Sequence, residues 1–256
     1  MEGVMVANLF ELERFCSELL AISSYEDYCP NGLQVDAGVQ QVQRVVTGVS
    51  ASQALIDQAV SWRADLLLVH HGYFWRGEAQ PLTGLKGSRV RTLMQHGISL
   101  MAYHLPLDAH VELGNNRQFG VLLGLTEAEA LPGTDGLLWW GSLTHPLSAE
   151  QFAGQLTAVL NREPLHISAG DEKITRFCWC TGAAQHFIEK AAANGMDAYL
   201  SGEVSEQTVH LARELGIHYF AAGHHATERY GIKALGERLS EEFGLEHRFI
   251  DVENPV

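Results

Sequence analysis

The sequence lacks a long hydrophobic run, and this absence argues against a membrane-spanning helix. Within its 256 residues, no apolar stretch approaches the roughly 18 to 20 residues that a helix needs to cross a bilayer. The first residues, MEGVMVANLFELERF, carry three acids before the first base, which is not the pattern of a secretory signal. We therefore expect a cytoplasmic protein that makes no membrane contact.

Cysteine and basic residues are also scarce. The four cysteines (Cys16, Cys29, Cys178 and Cys180) are too few and too irregularly spaced for a disulfide framework, so we expect buried thiols. Lys and Arg number 17 against 31 Asp and Glu, which gives a formal net charge of -14. Without a basic stripe, direct nucleic-acid binding is not expected.

Histidine, in contrast, is abundant, with 13 residues. Histidine is the commonest metal ligand and the side chain that titrates near neutral pH. The position of each histidine along the predicted elements therefore carries more information than the number. The length suffices for one large domain or two modest ones.

Short apolar runs alternate with amphipathic stretches along the whole chain. Runs such as VVTGV, DLLLV and DAYL are typical of buried strands, and the stretches between them have helical periodicity. This alternation predicts an α/β fold with mostly parallel strand pairing. Ser148 and Gln151 form a capping-box pattern that predicts the start of a helix over QFAGQLTAVL.

The two halves of the chain resemble each other. RVVTGVSASQALIDQAVSWRADLLLVHH, from Arg44, and RFCWCTGAAQHFIEKAAANGMDAYLSGE, from Arg176, share one pattern of strand, helix and strand. In this alignment Asp65 matches Asp197, and Thr-Gly at 47–48 matches Thr-Gly at 181–182. We predict two pseudo-repeated α/β lobes, although any α/β protein repeats strand–Gly–helix units.

The turn-rich segment LPGTDG (131–136) is the best candidate boundary between these lobes. We therefore predict a first lobe over residues 1–130 and a second over 131–256. In open α/β sheets, ligands bind in the crevice beyond the carboxyl ends of the strands. The sequence accordingly places a metal site between the lobes, at those strand ends.

Histidines and carboxylates follow three of the predicted strands. DLLLV runs into His70-His71, ISLMAY into His104 with Asp108 and His110 beyond it, and HYFAA into Gly223 with His224, His225 and Glu228 beyond it. Adjacent side chains inside a strand point to opposite faces. Where the strand stops, at Gly72, this constraint is released and both imidazoles can reach one crevice.

Three imidazoles and two carboxylates form a plausible ligand set. His224 and Glu228, four residues apart, share a helical face, and Asp108 follows Pro106 in a predicted loop. These donors suit Zn²⁺, Mn²⁺, Fe²⁺ or Co²⁺ better than Ca²⁺ or Mg²⁺. Five ligands are generous for one ion, and they suit two ions about 3.5 to 4 Å apart if Glu228 bridges them.

The alternative interpretation is structural. A single histidine at a strand end is more often a hydrogen-bonded structural residue than a ligand, and a His-x-x-x-Glu pair is common on solvated helices. The convergence of several such residues on one edge of the predicted sheets favours the metal site.

Six motifs together resemble a known family. They are CPNGLQVDAG (29–38), VTGVSAS (46–52), VHHGYFWRG (69–77), HLPLDAHVELGNN (104–116), SGEVSEQ (201–207) and AAGHHATERYG (221–231). In combination they resemble the GTP cyclohydrolase I type 2 homologs, of the bacterial YbgI type, over nearly the whole chain. The resemblance implies a two-lobed α/β subunit, toroidal homo-hexamers and a dinuclear metal centre. It also implies the metal ligands, which are His70, His71, Asp108, His224 and Glu228.

Two further residues are candidates for catalysis. His104 lies outside the implied ligand set, and we expect it to contact the substrate or to support a ligand. Glu203 occupies the place in the second repeat that His71 has in the first. It could act as a general base or cap the segment that follows it. Tyr73, Phe74 and Trp75 could form an aromatic wall for a planar base or belong to the core.

The predicted function is that of a metal-dependent hydrolase with two divalent ions. The resemblance implies a nucleotide substrate and hydrolytic opening of a purine ring. The net charge of -14 opposes a nucleotide, but two dications can reverse the local potential. The alternative is a non-catalytic, metal-binding hexameric scaffold or regulator, with a link to the handling of damaged nucleotides.

Overall fold

The computed structural model describes residues 5–125 and 127–256 and confirms the predicted α/β class. The strands are β1 (Ala7–Asn8), β2 (Gly32–Val35), β3 (Gln41–Val42), β4 (Arg44–Ser50), β5 (Leu66–His71), β6 (Ser99–Ala102), β7 (Ala128–Ala130), β8 (Trp139–Leu147), β9 (Leu165–Ile167), β10 (Ile174–Cys180), β11 (Ala198–Ser201), β12 (His218–Ala221) and β13 (Glu246–Phe249).

Of the helices, one begins directly after His104 and another begins at His224. The helices are α1 (Leu9–Leu19), α2 (Gln53–Ser61), α3 (Gly84–Gln95), α4 (Leu105–Ala109), α5 (Asn115–Leu122), α6 (Ala149–Leu160), α7 (Ile188–Ala193), α8 (Glu206–Leu215), α9 (His224–Thr227) and α10 (Arg229–Phe243). The predicted capping box is confirmed, because Ser148 and Gln151 exchange side-chain and backbone hydrogen bonds at the start of α6. Among the described residues, none of the helices combines the length and apolar character of a membrane span.

The chain divides into two compact units. Unit 1 comprises the chain up to Leu107 together with Gly231–Glu253, and unit 2 comprises Asp108–Tyr230 together with Asn254–Val256. Unit 1 contains a five-stranded sheet in the order β13-β4-β5-β6-β2, whose first four strands run parallel. Residues 66–69 of the central strand β5 are completely buried, because helices cover both faces of a parallel sheet.

Unit 2 contains a six-stranded sheet in the order β7-β8-β10-β11-β12-β9. Its parallel centre is β10-β11-β12, and the outer strands pair with it antiparallel. Phe152 of α6 packs edge-on against Phe177 and Phe220 of this sheet, at ring-centroid distances of 4.9 and 5.1 Å. Aromatic packing of this kind anchors the helix to the parallel strands.

The division into units 1 and 2 differs from the predicted boundary after residue 130. Glu246 of β13 pairs with Arg44 of β4, so the end of the chain returns to the first sheet. The LPGTDG segment lies inside unit 2, where it forms the turn between the antiparallel strands β7 and β8. A turn-rich composition marks a change of chain direction, and here that change is a hairpin within one sheet.

The internal repeat has a precise structural counterpart. Asp65 Oδ2 accepts hydrogen bonds from the backbone N–H groups of Gln43 (2.9 Å) and Arg44 (2.8 Å). Asp197 Oδ2 accepts the same pair from Thr175 and Arg176, both at 2.8 Å. Each carboxylate thus ties the start of one parallel strand to the start of the next, and the predicted match between the two aspartates is confirmed.

The predicted match between the two Thr-Gly pairs is wrong by two residues. Val45 pairs with Leu66, and Phe177 pairs with Ala198, so equivalent positions differ by 132 in number. By this register Thr47 corresponds to Trp179, whereas Thr181 lies beyond the end of β10. The position in unit 1 that corresponds to Gly182 is Ser50.

Candidate metal centre

The strand β5 of unit 1 ends in two imidazoles that lie close together. The His70 and His71 ring centroids are 4.6 Å apart, and His70 is completely buried. Strand β6, the neighbour of β5, ends at Ala102, two residues before His104. The ring centroid of His104 lies 5.2 Å from that of His70 and 5.7 Å from that of His71. One ring nitrogen of each residue lies within 4.8 Å of the other two.

A glycine allows the chain to leave the strand at this point. A Cβ atom on Gly72 would lie 2.1 Å from Gln34 Oε1 and 2.7 Å from Ala102 Cβ. Only glycine fits so close to the neighbouring strand and its side chains. The pleat therefore ends directly after His71, as the sequence analysis predicted.

Both imidazoles of β5 are held through Nδ1. His70 Nδ1 donates to the carbonyl oxygen of Tyr103 (2.8 Å), and His71 Nδ1 hydrogen-bonds to the Ser50 hydroxyl (3.1 Å). Metal-ligating histidines almost always use their second ring nitrogen in this way, because the bond fixes the tautomer and the ring orientation. The Nδ1 bonds make Nε2 the nitrogen suited to a metal.

His104 pairs with a carboxylate that the sequence analysis missed. Its Nδ1 donates to Asp27 Oδ1 at 2.7 Å, and the Asp27 side chain is only 4% exposed. Burial alone would raise the pKa of Asp27. The hydrogen bonds and charge of His104, with bonds from Asn31 and the Tyr28 N–H, outweigh that effect and lower the pKa to about 2. Asp27 stands in the loop SSYEDYCP, where its only sequence signal is its proximity to the CPNGLQ motif.

The three predicted aromatic residues have different places. Tyr73 is buried and donates its hydroxyl to the Ala51 carbonyl (2.7 Å), and Phe74 packs against the core of unit 1. Trp75 lies beside the histidines, with its ring centroid 5.0 Å from that of His104 and 5.9 Å from that of His71. Only Trp75 therefore adjoins the candidate site.

In unit 2, His224 and Glu228 form a close pair. His224 begins α9, and its Nε2 lies 3.0 Å from Glu228 Oε2. His224 Nδ1 donates to Glu203 Oε1 at 2.7 Å. Burial alone would lower the pKa of His224, but the hydrogen bonds and charges of Glu228 and Glu203 raise it to about 9. Glu203 thus orients the His224 ring.

Asp108 lies in the short helix α4, so the prediction of a loop at this position is wrong. Pro106 is compatible with the helix because the first turn needs no backbone N–H from that position. Asp108 is 6% exposed, and its Oδ1 accepts a bond from Asn115 Nδ2 (2.8 Å). Burial, together with the charges of Asp108 and Glu228, raises the pKa of the Cys180 thiol. Both carboxylates therefore lie near this buried thiol.

Two glycines make room for the His224–Glu228 pair. A Cβ atom on Gly182, whose φ is +70°, would lie 2.1 Å from Glu228 Oε1 and 3.4 Å from His224 Nε2. A Cβ atom on Gly202 would lie 2.7 Å from His224 Cα. The segments after β10 and β11 can approach the pair only because both positions lack a side chain.

Two other histidines near the motifs have local contacts. His110 Nδ1 accepts from the backbone N–H groups of Glu112 and Leu113, and the His225 N–H donates to the Val256 carbonyl. Neither belongs to a group of potential metal ligands within the described residues.

The donor types fit a transition-metal site. Unit 1 offers imidazole nitrogens, and unit 2 offers one imidazole and two buried carboxylates. Buried clusters of His, Asp and Glu of this kind could hold metal ions such as Zn²⁺, Mn²⁺, Fe²⁺ or Co²⁺.

Comparison with known proteins identifies the family. Residues 7–255 match Duf34/NIF3 (NGG1p interacting factor 3). The chain belongs to the Duf34/NIF3 family. Two similar relatives, from Allochromatium vinosum and Vibrio cholerae, are each named GTP cyclohydrolase 1 type 2 homolog. The first is 51% identical over 100% of both chains, and the second is 52% identical over 97% of this chain and 100% of the relative.

Solved structures of Duf34/NIF3 relatives agree with the fold. The protein ybgI, described as of unknown function, is 50% identical, with a TM-score of 0.92 over 97% of this chain and 100% of its own. A Thermus thermophilus protein is 32% identical, with a TM-score of 0.89 over the same shares. The resemblance stated from the sequence motifs is confirmed.

Proposed function

We propose that this Duf34/NIF3 protein is a metal-dependent hydrolase that holds two divalent ions and acts on a nucleotide. The proposed ligands, drawn from both units, are His70, His71, Asp108, His224 and Glu228. The observation that carries the proposal is that each of the three imidazoles among them is held through Nδ1 by a different hydrogen-bond partner.

The three hydrogen-bond partners differ in kind, but each holds its ring at Nδ1. A backbone carbonyl holds His70, a hydroxyl holds His71 and a carboxylate holds His224. Structural histidines need no common pattern, whereas ligands need Nε2 unprotonated and correctly aimed. The same choice of Nδ1 in three unrelated environments supports a ligand role for all three.

The two carboxylates support the proposal through their burial. Asp108 is 6% exposed and Glu228 is 3% exposed. Burial of an ionised carboxylate is costly unless a cation or several hydrogen bonds compensate for it. A divalent cation supplies that compensation, and Gly182 provides the space that Glu228 occupies.

When bound, the ions supply Lewis acidity and lower the pKa of water toward neutrality. The chain itself contributes orientation and a surface for the substrate. Glu203 keeps the His224 ring in place, and we assign His104 to contact with the substrate. Trp75, which adjoins both His71 and His104, provides a face on which a planar base can stack.

The substrate assignment has support from the name of the relatives. The relatives are named GTP cyclohydrolase 1 type 2 homolog, and GTP is a purine nucleotide. The chain's net charge of -14 disfavours the binding of a polyanion. The electrostatic attraction for the nucleotide must therefore come from the metal ions. We therefore propose purine nucleotides, with ring opening as the reaction.

The decisive experiment measures metal content and turnover together. Protein reconstituted with Mn²⁺, Zn²⁺ or Fe²⁺ should hold about two ions per chain by elemental analysis and should hydrolyse GTP or another purine nucleotide. His70→Ala should lower the metal content and abolish hydrolysis. His166→Ala is the control, since His166 also lies in a strand but is half-buried and bonds to His218. Hydrolysis that survives His70→Ala would contradict the proposal.

The same samples test the remaining features. We propose a toroidal homo-hexamer, which light scattering would detect as a mass of six chains. We also propose a cytoplasmic location, in keeping with four buried cysteine thiols. Stoichiometric metal without turnover of any nucleotide would favour the non-catalytic scaffold or regulator.

A further inference from the structure

We propose that Asp27 is a positioning residue that fixes the tautomer of His104, so that His104 presents its Nε2 lone pair to the reacting molecule. The part that concerns the reaction rests on the proposed hydrolase function. The tautomer is a property of the resting protein and can be measured without any turnover. All the residues that carry this inference belong to unit 1.

Asp27 is held at both carboxylate oxygens. Oδ1 accepts from the Tyr28 N–H (2.6 Å) and from His104 Nδ1 (2.7 Å). Oδ2 accepts from Asn31 Nδ2 (2.9 Å) and from the Leu105 N–H (3.0 Å). Two of these donors are backbone groups, so the carboxylate cannot rotate without losing them. Its orientation is therefore set by the fold.

An ionised carboxylate can only accept hydrogen bonds, so the hydrogen of this contact belongs to His104 Nδ1. A neutral imidazole with Nδ1 protonated carries its lone pair on Nε2. The same relation between a buried aspartate and a histidine defines the catalytic tautomer in serine proteases. Asp27 thus orients the His104 ring, and His104 is the residue that can accept and donate a proton.

His104 is also fixed as a residue. Its backbone N–H donates to Asn31 Oδ1 (2.8 Å), and the Trp75 ring stands edge-on to its imidazole at an interplanar angle of 84°. Its side chain remains 14% exposed, and one of its ring nitrogens lies within 4.8 Å of ring nitrogens of His70 and His71. A fixed and accessible imidazole beside the proposed ligands can touch a substrate held there.

The proton balance of a hydrolysis is simple with this arrangement. As the oxygen of water bonds to the atom under attack, one O–H bond of the water breaks and its proton moves to His104 Nε2. The bond to the leaving group then breaks, and the same proton moves from Nε2 to that group. Asp27 remains ionised throughout and stabilises the transient imidazolium.

The first test is the ¹⁵N solid-state NMR spectrum of Zn²⁺-loaded protein labelled at histidine. We expect His104, identified by the signals that His104→Gln removes, to carry its hydrogen on Nδ1. A wild-type spectrum with the hydrogen on Nε2 would overturn the proposal without the need for any Asp27 variant.

Asp27→Asn should reverse the tautomer. The introduced amide keeps most hydrogen bonds when its oxygen faces Asn31 and the Leu105 N–H, which are both donors. Its NH₂ group then faces His104 Nδ1 and donates to it, so the ring hydrogen must move to Nε2. With GTP and Zn²⁺-loaded protein we expect kcat to fall by at least about 100-fold, while KM and metal content stay within about threefold.

Asn31→Ala is the matched control. It removes one donor to Asp27 and the acceptor of the His104 N–H, but it leaves the bond between Asp27 and His104 Nδ1. We expect the wild-type tautomer and less than about tenfold loss of kcat. Asp27→Glu, which keeps the charge, should retain more activity than Asp27→Asn.

The outcomes separate this proposal from the proposed function. An Asp27→Asn protein with an unchanged tautomer, or with unchanged kcat, would overturn the role of Asp27. Equal losses of kcat in Asp27→Asn and Asn31→Ala would reduce Asp27 to a structural residue. A wild-type protein with the expected tautomer but no hydrolysis would overturn the proposed function and uphold Asp27 as the residue that fixes His104.

Discussion

The two units share a scaffold and differ in the chemistry at its edge. In both units, an aspartate ties the starts of two parallel strands together, and the next strand of the sheet also pairs in parallel. The central strand β5 of unit 1 continues to His71, whereas β11 of unit 2 ends at Ser201. Residues His71 and Glu203 occupy equivalent positions, yet one is a proposed ligand and the other orients a proposed ligand, His224.

This difference indicates which parts of the repeat serve the fold and which serve the site. The aspartates recur because both sheets need them. The residues past the strand ends diverge, so that unit 1 offers imidazoles and unit 2 offers mainly carboxylates. The predictions below test that division of roles, in order of expected effect.

The largest effect should follow from Gly182→Ser, which gives unit 2 the residue that unit 1 has at the equivalent position, Ser50. In unit 1 this position needs a hydroxyl to hold His71, whereas in unit 2 it must be empty for Glu228. Gly182→Ser should displace Glu228 and weaken Zn²⁺ affinity by more than about 100-fold, beyond the usual effect of residues outside the ligand set. Competition with a chromophoric chelator measures this change.

Gly195→Ser is the control for Gly182→Ser. Gly195 has a similar φ of +68°, but a Cβ atom there would have no neighbour within 4 Å. It should cost about 1 kcal/mol of stability from the left-handed backbone and leave Zn²⁺ affinity unchanged. Equal losses of affinity in both variants would mean that backbone strain, and not the contact with Glu228, is responsible.

The second effect concerns the shared scaffold. Asp65→Ala and Asp197→Ala each leave two backbone N–H groups without their acceptor. Each should lower the free energy of unfolding by about 2 kcal/mol, as measured in urea. Asp57→Ala, at an exposed side chain that accepts a hydrogen bond from Gln53 Nε2, should have little effect. A cost in one unit more than twice that in the other would break the structural equivalence.

The sequence predicts the scaffold well for a physical reason. Alternation of buried strands with amphipathic helices is a local pattern, and residues 66–69 are as buried as their apolar run indicates. The aspartate match is also local, since each carboxylate contacts the strand that lies one helix earlier. The division into units is not local, because β13 pairs with a strand some 200 positions earlier along the chain.

The site is predictable to the extent that strand ends are. His70, His71 and His104 follow directly from the ends of β5 and β6, and the structure brings them together. Asp27 could not be predicted, because its contact with His104 spans 77 positions and depends on the path of an irregular loop. The Thr-Gly alignment failed because similar letters were matched without the strand register that only the sheet supplies.

The third effect concerns the two residues that hold the rings of the proposed ligands His224 and His71. Glu203→Gln keeps a hydrogen bond to His224 Nδ1 but removes the charge, and it should weaken Zn²⁺ affinity by about 10-fold. Ser50→Ala removes a neutral bond to His71 and should weaken it by about threefold, since charge-assisted bonds are roughly twice as strong. A larger loss in Ser50→Ala than in Glu203→Gln, in the same chelator competition, would reverse the proposed order.

The smallest effect is a pH dependence that belongs to unit 2. In the metal-free protein the pKa of His224 is raised to about 9, so its ring is protonated at neutral pH and contributes stability below pH 6.5 that is lost as the pH rises through 9. A metal that binds His224 must displace this proton. Zn²⁺ affinity should therefore rise from pH 7 to 9, by less than about tenfold per pH unit, and then level off. Calorimetry in buffers of different ionisation enthalpy should detect about one proton released per chain at pH 8.

Glu203→Gln should lower the pKa of His224, so this variant should release fewer protons at pH 8 when Zn²⁺ binds. Equal proton release by both proteins would show that Glu203 does not set the protonation of the ligand it contacts.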